Sequence, residues 1–543
     1  MSESFDQRLR FRSAAIILAV YFLLAALVVY QSADQINPDG VAYVQIARHY
    51  AHGRFDLAVS SYWGPLLSWL LVPLVWLGIG SMAAVKAINV VLGAGLGLAA
   101  VSLARRVKLN WNPNVVLAGS LTLVLAMLPQ PITPDVLLAT LMTLYFARSA
   151  RLLRSRSAKV AFGAGLIGGA AYLAKAYALA FVPLHLALTL AVGLSVRGGL
   201  GARTRQLVAG LAGVALVAGP WVVAVSVKEG RPTIGSVTRL ADAFVYSIKT
   251  GQNCPLYRVQ TPRPGRINVW ENPTEIPQDY VDAARPPENY RSRILLANGN
   301  ELNNMLRWFD PIVPLAVGWV IVVLSIPVQL LLRAVDWRGP QTPRKGRPVG
   351  TLGVPRRIWL AGSVAVYAGG YMLVLMESRY LWPIWALLLV LTLGVLGASP
   401  GGRAGRWRLL APALLLGAVA GAVAMSLYPW FDPSPTSKGA DWRQMAKASS
   451  GLQSNQLTAA NVWHEGLYAS YRADSPFLGV IEGQDAEEIA RGLRPFGPVR
   501  VLVFNNAKLE RMLESSGLFR RDSAQERADN LAVFELAPAA EGG

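Results

Sequence analysis

Two aspartates that follow prolines are the residues of this chain best suited to acid–base chemistry. Residues 37–39 read Asn-Pro-Asp, and residues 133–135 repeat the pattern as Thr-Pro-Asp. In each stretch a residue that can cap a helix precedes a proline suited to the first turn, so Asp39 and Asp135 fall in that turn. The helix dipole favours a carboxylate there, and a carboxylate can act as a general base. Two unrelated helix starts are the simpler alternative.

Two basic side chains next to apolar runs provide the opposite charge. Lys175 lies in the stretch Ala-Lys-Ala-Tyr at 174–177, and Arg379 lies in Glu-Ser-Arg-Tyr at 377–380. Ammonium and guanidinium groups at the level of the lipid headgroups suit a phosphate or diphosphate. The alternative for both residues is ordinary anchoring in the headgroups, which costs little at the end of a membrane span.

The remaining candidates allow more than one interpretation. Tyr43 shares a helix face with Asp39, so it could position a substrate or pack against a neighbouring helix. His49 and His52 have a spacing that permits metal ligation, but no carboxylate motif completes such a site, and we predict no metal. The single cysteine, Cys254, excludes an intramolecular disulfide and a cysteine-built metal centre.

The composition is that of a polytopic membrane protein. The chain has 543 residues, of which 53% are hydrophobic and 15% charged, whereas soluble proteins carry about 25% charged residues. Apolar runs of about 17 to 22 residues recur along most of its length. The net charge of +20 comes from short basic clusters between these runs. Because such clusters set membrane topology, they do not indicate a nucleic-acid partner.

Basic residues set the expected orientation of the spans. Arg8, Arg10 and Arg12 precede the first apolar run, near 13–30, so the N-terminus should be cytoplasmic. The run at 64–80 starts with Trp-Gly-Pro and contains Pro73, and we interpret it as an interfacial helix. We predict about eleven spans and an external C-terminus. The other spans are expected near 82–104, 113–129, 134–150, 160–176, 178–194, 206–226, 311–332, 358–376, 380–397 and 408–428.

This topology divides the chain into two predicted domains. Residues 1–430 form a transmembrane domain whose outer loops, 31–80 and 228–308, carry or adjoin the candidate residues. Residues 431–543 are more polar, and we expect them to form a small external α/β domain. Its predicted strands are at 457–462, 477–481, 500–504 and 531–536, and its predicted helices at 484–493 and 507–516. The basic loop near 338–357 should lie inside the cell.

These motifs together resemble the GT-C superfamily of integral-membrane glycosyltransferases, in particular the bacterial group related to protein O-mannosyltransferases and the lipid A aminoarabinose transferase. The resemblance covers nearly all of residues 1–430. In order, it rests on an Asp-x-x-x-Tyr helix start at 39–43, a Pro-Leu-rich interfacial helix at 64–70, the Thr-Pro-Asp and Ala-Lys-Ala-Tyr stretches, and Glu-Ser-Arg-Tyr-Leu-Trp-Pro at 377–383. A small external C-terminal domain is also common among such enzymes.

The resemblance implies a reaction and a set of site residues. The expected donor is a sugar linked to polyprenyl phosphate, the acceptor is a hydroxyl of a glycan, lipid or protein, and the place is the outer face of a prokaryotic cytoplasmic membrane. Asp39 would be the catalytic base, and Arg379 and Lys175 would bind the lipid phosphate. Further substrate contacts would come from Asp135, Tyr43, Tyr177, Glu377 and Tyr380. Many relatives have a second acid after the first aspartate. Here that residue is Gly40, so we expect transfer without a metal or other cofactor.

Two other classes of protein share parts of this pattern. A lipid-linked oligosaccharide polymerase or ligase uses the same donor chemistry but does not have this order of motifs. A transporter or flippase would place ionisable residues near the bilayer midplane and would often show internal repeats. In this chain the notable charges lie at one membrane boundary, and no sustained repeat is visible.

Overall fold

The described part of the chain is mostly helical. The computed structural model describes residues 2–79, 82–109, 113–129, 132–196, 199–237, 240, 243–244, 246–247, 254–285, 354–373, 377–396, 449, 454–522 and 531–538. Its N-terminal helices are α1 (Ser2–Gln31), α2 (Pro38–Ala51), α3 (Phe55–Ala58), α4 (Leu66–Trp76), α5 (Met82–Arg106), α6 (Pro113–Met127), α7 (Asp135–Ser149), α8 (Ala158–Ala174), α9 (Tyr177–Val196) and α10 (Leu200–Lys228). The long outer loop contains α11 (Gln278–Ala283), and it is followed by α12 (Val354–Met372) and α13 (Trp382–Leu396).

Four helices of the described part are long and apolar enough to cross a membrane. They are Phe11–Gln31, Ala84–Arg106, Tyr177–Val196 and Leu200–Lys228. Several shorter apolar helices accompany them: Leu66–Trp76, Pro113–Met127, Ala158–Ala174 and Arg379–Leu393. The predicted spans at 311–332 and 408–428, and nearly all of the basic loop near 338–357, lie outside the described residues. The number of eleven spans therefore stays a prediction.

Two helices of the first outer loop, α2 and α4, pack together. Helix α4 has 11 residues, and a span needs about 20, which agrees with its interpretation as an interfacial helix. Ser68 on α4 donates a hydrogen bond to the carbonyl oxygen of Tyr43 on α2, at 2.9 Å. At the other end of α4, the indole N–H of Trp76 donates to the carbonyl oxygen of Ala51, at 3.0 Å. These contacts fix the direction of α2, which starts at the site.

A buried polar network joins three helices below the outer boundary. The Nδ1 atom of His185 on α9 lies 3.0 Å from the hydroxyl of Tyr145 on α7, and its Nε2 lies 2.9 Å from Ser363 Oγ on α12. The indole of Trp359 donates to Thr189, at 2.9 Å. Both ring nitrogens of His185 thus have partners inside the protein, as a buried polar group requires. The network holds α9 against α12, the two helices that flank the site.

A five-stranded sheet forms the C-terminal unit (residues 454–538). Its strands are β1 (Leu457–Ala460), β2 (Phe477–Val480), β3 (Val499–Phe504), β4 (Phe519–Arg521) and β5 (Leu531–Leu536), in the order β2-β1-β3-β5-β4. The first three strands are parallel, and β5 runs antiparallel to β3 and β4. Its helices are α14 (Trp463–Arg472), α15 (Ala486–Leu493) and α16 (Ala507–Ser515). The predicted boundary at residue 430 lies outside the described residues.

The sequence analysis found four of these strands and two of these helices, but it missed β4 and α14. Strand β4 has only three residues, of which only Phe519 is buried. Helix α14 has an unbroken buried run from Gly466 to Tyr471, because it lies between the sheet and the first outer loop.

The long outer loop covers one edge of the C-terminal sheet. Strand β2 is the edge strand, and its backbone is paired by residues 257–267. The Val480 N–H donates to the Tyr257 carbonyl at 2.7 Å, and the Gln260 N–H donates to the Leu478 carbonyl at 2.9 Å. The Phe477 N–H donates to the Ile267 carbonyl at 2.6 Å. Because this edge is paired, the loop and the C-terminal unit form one outer layer.

Candidate active site

Arg379 is the centre of the candidate site. It lies in a short 3₁₀ turn, Ser378–Leu381, directly before α13. Its Nη1 donates to Asp39 Oδ2 at 3.0 Å, and its Nε donates to Glu377 Oε2 at 2.6 Å. The same Nε lies 3.9 Å from Asp135 Oδ2. The guanidinium thus brings together three carboxylates from three distant parts of the chain.

Lys175 completes the charged cluster from the turn between α8 and α9. Its Nζ donates to Asp135 Oδ1 at 2.7 Å and lies 3.7 Å from the centroid of the Tyr380 ring. The Thr133 hydroxyl donates to the other oxygen of Asp135. Because Asp135 is fully buried and both of its oxygens are bound, its carboxylate holds Lys175 and Arg379 in place.

The two Pro-Asp helix starts are linked, but the predicted side-chain caps are absent. Asn37 stands before α2, yet its Oδ1 accepts a hydrogen bond from the backbone N–H of Ile132, at 2.6 Å. Helix α7 starts at Asp135 with Pro134 before it, and the Thr133 hydroxyl binds the Asp135 carboxylate instead of capping the helix. Both expected caps are wrong, because a distant backbone N–H takes the Asn37 side chain and the neighbouring Asp135 carboxylate takes the Thr133 hydroxyl.

Gly40 is tightly packed at this junction. A Cβ atom on Gly40 would lie 2.9 Å from Ile132 Cβ and 2.9 Å from Asn37 Oδ1. Such distances are too short for non-bonded atoms, so any side chain here would displace a neighbour. The space that a side chain at residue 40 would need is therefore occupied by Ile132 and Asn37.

Tyr43 packs beneath the site. Its side chain is buried, and its ring lies 5.2 Å from the ring of Trp63 in an edge-to-face arrangement. Burial raises the pKa of the Tyr43 hydroxyl well above its ordinary value, and the nearby carboxylates of Asp39 and Asp135 raise it further. Of the two predicted roles for Tyr43, the geometry matches packing against the interfacial helix.

Tyr177 reaches the charged cluster through other aromatic rings. It stacks on Tyr371 with 3.9 Å between ring centroids, and its hydroxyl donates to the carbonyl of Tyr367 at 2.7 Å. Tyr371 in turn stacks on Tyr380, at 5.0 Å. Because Tyr380 follows Arg379 directly, this stack supports the turn that carries the guanidinium.

The sequence analysis missed Tyr62, His464 and Tyr468. The Tyr62 ring lies 4.8 Å from the ring of Trp63, which in turn packs on Tyr43. Burial raises the pKa of the Tyr62 hydroxyl, and the carboxylate of Asp39 raises it further. His464 and Tyr468 lie on α14 of the C-terminal unit, and Asp39 acts electrostatically on both. No spacing rule links them to Asp39. The only signal in the sequence is the concentration of aromatic residues in both stretches.

The histidines considered as metal ligands have other partners. His49 Nε2 lies 3.1 Å from Glu271 Oε2 inside the outer layer, and both side chains are buried. His52 Nδ1 contacts the carbonyl oxygen of Arg48 in its own helix, at 2.7 Å. Within the described ranges, no group of three or more His, Cys, Asp or Glu side chains could hold a metal ion.

Comparison with solved structures identifies the fold. The structure of ArnT, the lipid A aminoarabinose transferase, from Cupriavidus metallidurans bound to undecaprenyl phosphate matches 97% of this chain and 99% of its own length. The TM-score is 0.53, at 15% sequence identity. The chain has the GT-C fold. The sequence resemblance is thereby confirmed at the level of the fold, and the shared fold extends beyond residue 430 into the C-terminal unit.

Two further structures share the GT-C fold with this chain. ArnT from Cupriavidus metallidurans in its apo state gives a TM-score of 0.50 at 16% identity and covers 96% of this chain and 98% of its own. The oligosaccharyltransferase of Archaeoglobus fulgidus in its apo form gives a TM-score of 0.50 at 11% identity. The match covers 95% of this chain and 73% of the oligosaccharyltransferase chain. No family model and no curated protein sequence matches the chain.

Proposed function

We propose that this protein transfers a sugar from a polyprenyl-phosphate-linked donor to a hydroxyl acceptor at the outer face of the cytoplasmic membrane. The observation that carries the proposal is the contact between Asp39 and Arg379, at 3.0 Å. It joins a carboxylate able to take a proton to a cation able to bind a phosphate. The shared fold of ArnT, which was solved with undecaprenyl phosphate, supports it.

The donor's phosphate is assigned to Arg379 and Lys175. Among the described residues, Arg379 Nη2 has no hydrogen-bond partner, and Lys175 Nζ donates only to Asp135. Both groups therefore have N–H bonds left for phosphate oxygens. When the bond between the sugar's anomeric carbon and the phosphate oxygen breaks, the polyprenyl phosphate leaves with the electron pair. The two cations stabilise the charge that develops on it.

Asp39 is assigned as the general base. Arg379 holds its Oδ2, whereas Oδ1 has no hydrogen-bond partner within the described part of the chain. Oδ1 can accept the proton of the acceptor hydroxyl as that oxygen attacks the anomeric carbon. Asp39 is 20% exposed, so an acceptor can reach it, whereas Asp135 is 1% exposed and stays a positioning residue.

The proposal includes an arrangement in the membrane. We infer about eleven spans, a cytoplasmic N-terminus and an external C-terminal domain at 431–543, with residues 1–430 as the transmembrane catalytic domain. The basic clusters between the apolar runs support this orientation. The donor sugar is a hexose or a pentose, and the acceptor is a glycan, a lipid or a protein.

The test compares purified wild-type protein with Asp39→Asn. Both are incubated with labelled polyprenyl-phosphate sugars and candidate acceptors, and the labelled product is measured. Removing a general base typically costs about 10²- to 10⁴-fold in rate, so Asp39→Asn should lose transfer while its KM for the donor stays close to that of the wild type.

Asp279→Asn is the matched control, because Asp279 is an exposed aspartate in the first turn of α11, two residues after Pro277. It should leave transfer unchanged. Full turnover by Asp39→Asn would remove the assigned base. A lipid phosphate found in a structure far from both Arg379 and Asp39 would contradict the donor site.

A further inference from the structure

The turn between α7 and α8 carries only positive charge and lies at the end of the bundle opposite the candidate site. Helix α7 starts in the site at Asp135 and ends 15 residues later at Ser149, a distance of about 22 Å. Between Asp56 and Glu229, Asp135 is the only acidic residue of the sequence. Basic loops of this kind set the orientation of membrane helices. This turn has, in addition, a fixed arrangement of its basic side chains.

Three arginines form a row along this turn, here called the arginine row (Arg148, Arg151 and Arg154). The Arg151 N–H donates to the Arg148 carbonyl oxygen, and the Arg154 N–H donates to the Arg151 carbonyl oxygen, each at 3.2 Å. Such bonds between residues three apart are those of a 3₁₀ helix, in which side chains three apart lie above one another. Successive arginines are therefore about 6 Å apart along one face. Leu152 and Leu153 lie in the bundle core, on the inner face of the turn.

Two side chains of α10 hold the turn in this conformation. Arg203 Nη1 donates to the carbonyl oxygen of Leu152 at 2.6 Å and to that of Ser155 at 3.2 Å. The Gln206 amide donates to the carbonyl oxygens of Ser155 and Ser157, at 2.9 and 3.3 Å. Because both side chains are buried, these bonds fix the backbone that carries the arginine row. Orientation in the membrane needs positive charge on a loop, but it does not need a fixed loop.

The Arg148 guanidinium lies below the turn, against the side of α8. A Cβ atom on Gly163, the sixth residue of α8, would lie 2.8 Å from Arg148 Nη2 and 3.1 Å from its Nε. The Nε atom is buried and has no hydrogen-bond partner among the described residues. Charged groups at this depth in a membrane protein normally have a partner. The guanidinium therefore points to an anion that comes from outside the chain.

The positive charges near this turn also repel one another. Arg106 ends α5, which packs against α7. Burial lowers the pKa of the Arg151 guanidinium, and the charges of Arg106 and Arg148 lower it further. An anion bound among these groups would reduce their repulsion.

We propose that the arginine row binds the headgroup phosphates of anionic phospholipids, in the leaflet on the side opposite the candidate site. The proposal goes beyond sugar transfer and does not depend on it. A guanidinium can hold a phosphate through two parallel N–H bonds. Basic pockets between membrane helices are suited to lipid headgroups that carry phosphate.

A bilayer lipid fits this position better than a soluble polyanion. The row begins in the last turn of α7 and continues directly beyond the end of this apolar helix, at the level of the headgroups. One helical turn before Arg148, on the same face, Leu144 is exposed. An acyl chain can lie along this leucine while its phosphate reaches the arginines. A soluble polyanion has no group for such an apolar surface.

The experiment compares lipid binding by the wild type and two double variants. The first variant combines Arg151→Gln with Arg154→Gln, and the second combines Arg491→Gln with Arg494→Gln. The full-length proteins are delipidated in detergent and titrated with phosphatidylglycerol or phosphatidylcholine, and native mass spectrometry gives an apparent Kd for each lipid. The second variant is the matched control, because it removes two exposed arginines, also three residues apart, from the C-terminal unit.

We expect the wild type to bind phosphatidylglycerol more tightly than phosphatidylcholine, whose headgroup has no net charge. Loss of two basic residues at an anionic headgroup should weaken phosphatidylglycerol binding about thirtyfold in the first variant. The control variant should bind as the wild type does. Arg151→Lys combined with Arg154→Lys should recover part of the affinity, since lysines keep both charges but lose the fork of donors.

Four results would contradict the proposal. Unchanged phosphatidylglycerol binding in the first variant would overturn the site. Equal weakening in the control variant would show an effect of net charge alone. Equal affinity of the wild type for the two lipids would exclude recognition of an anionic headgroup. Tight binding of a soluble oligonucleotide, lost in the first variant, would assign the arginine row to a nucleic acid instead of a lipid.

Discussion

At the scale of single residues, the guanidinium of Arg379 connects the parts of the site. Its planar fork donates to Asp39 and Glu377 from two different nitrogens, at 3.0 and 2.6 Å. Only arginine has several donors in this fixed geometry, and a lysine ammonium acts as a point charge. Arg379 therefore orients the proposed base while it keeps Nη2 for the phosphate of the donor.

Arg379→Lys should keep the positive charge but lose the geometry. A lysine cannot hold both carboxylates and a phosphate in the same arrangement, and small displacements of a reacting group cost up to about 10²-fold in rate. We expect kcat for sugar transfer to fall by about that factor in the labelled-donor assay. The control is Arg285→Lys, at an exposed pair with Asp282. Equal kcat in Arg379→Lys and the wild type would show that charge alone is enough.

At the scale of elements, aromatic stacking connects the membrane helices to the site. Tyr177 on α9 stacks on Tyr371 of α12, and Tyr371 stacks on Tyr380 in the turn before α13. Gly370 allows this close approach, since a Cβ atom there would lie 2.1 Å from the Tyr177 hydroxyl oxygen. The packing of α9 on α12 thus supports the position of Arg379.

Gly370→Ala should therefore separate α9 from α12. The added methyl group would displace Tyr177 from Tyr371, and overpacking of this kind typically costs about 1–3 kcal/mol. The neighbouring Gly369→Ala is the matched control, because a Cβ atom on Gly369 would have no neighbouring atom within 4 Å, and alanine favours a helix over glycine. Thermal unfolding in detergent should show a lower Tm for Gly370→Ala only. Equal Tm values for the two variants would contradict the packing.

At the scale of the whole molecule, the outer layer is assembled from three regions of the chain. The first outer loop, residues 254–285 and the C-terminal unit share one hydrophobic core. Arg472 of α14 also donates to the carbonyl oxygen of Asp34, at 2.6 Å, just before α2. The position of Asp39 therefore depends on parts of the chain more than four hundred residues away.

Gly479→Ala should loosen this assembly. Gly479 has a φ of +138°, and a Cβ atom there would lie 2.6 Å from the carbonyl oxygen of Arg258 in the paired loop. Gly517→Ala is the control. Gly517 also has a positive φ, of +68°, but a Cβ atom there would have no neighbouring atom within 4 Å. Both variants carry backbone strain. Only Gly479→Ala should speed tryptic cleavage after Arg258, and equal cleavage in both variants would contradict the pairing of the loop with β2.

Cysteine labelling tests the orientation in the membrane. The native Cys254 is buried, and burial raises the pKa of its thiol, so it should react slowly with a membrane-impermeant maleimide. An added cysteine at exposed Glu482 of the C-terminal unit should be labelled in intact cells. A cysteine at exposed Arg154, between α7 and α8, should be labelled only after permeabilisation. The reverse pattern would overturn the topology.

The sequence by itself determined the helical membrane class, the approximate limits of most of the apolar helices described and most of the charged cluster. These follow from local signals: the length of apolar runs, the position of prolines and the basic residues between spans. The same signals indicated that Asp39, Asp135, Lys175 and Arg379 belong to one boundary. Each of these properties depends on residues that are close together in the chain.

The tertiary structure decided which groups touch. It redirected Asn37 to Ile132, and it joined Lys175 to Asp135 and Arg379 to Asp39. These contacts join segments whose separation along the chain carries no periodic pattern. A side chain that can cap its own helix will instead bind a distant group when packing brings that group closer, and periodicity along the chain contains no information on that choice.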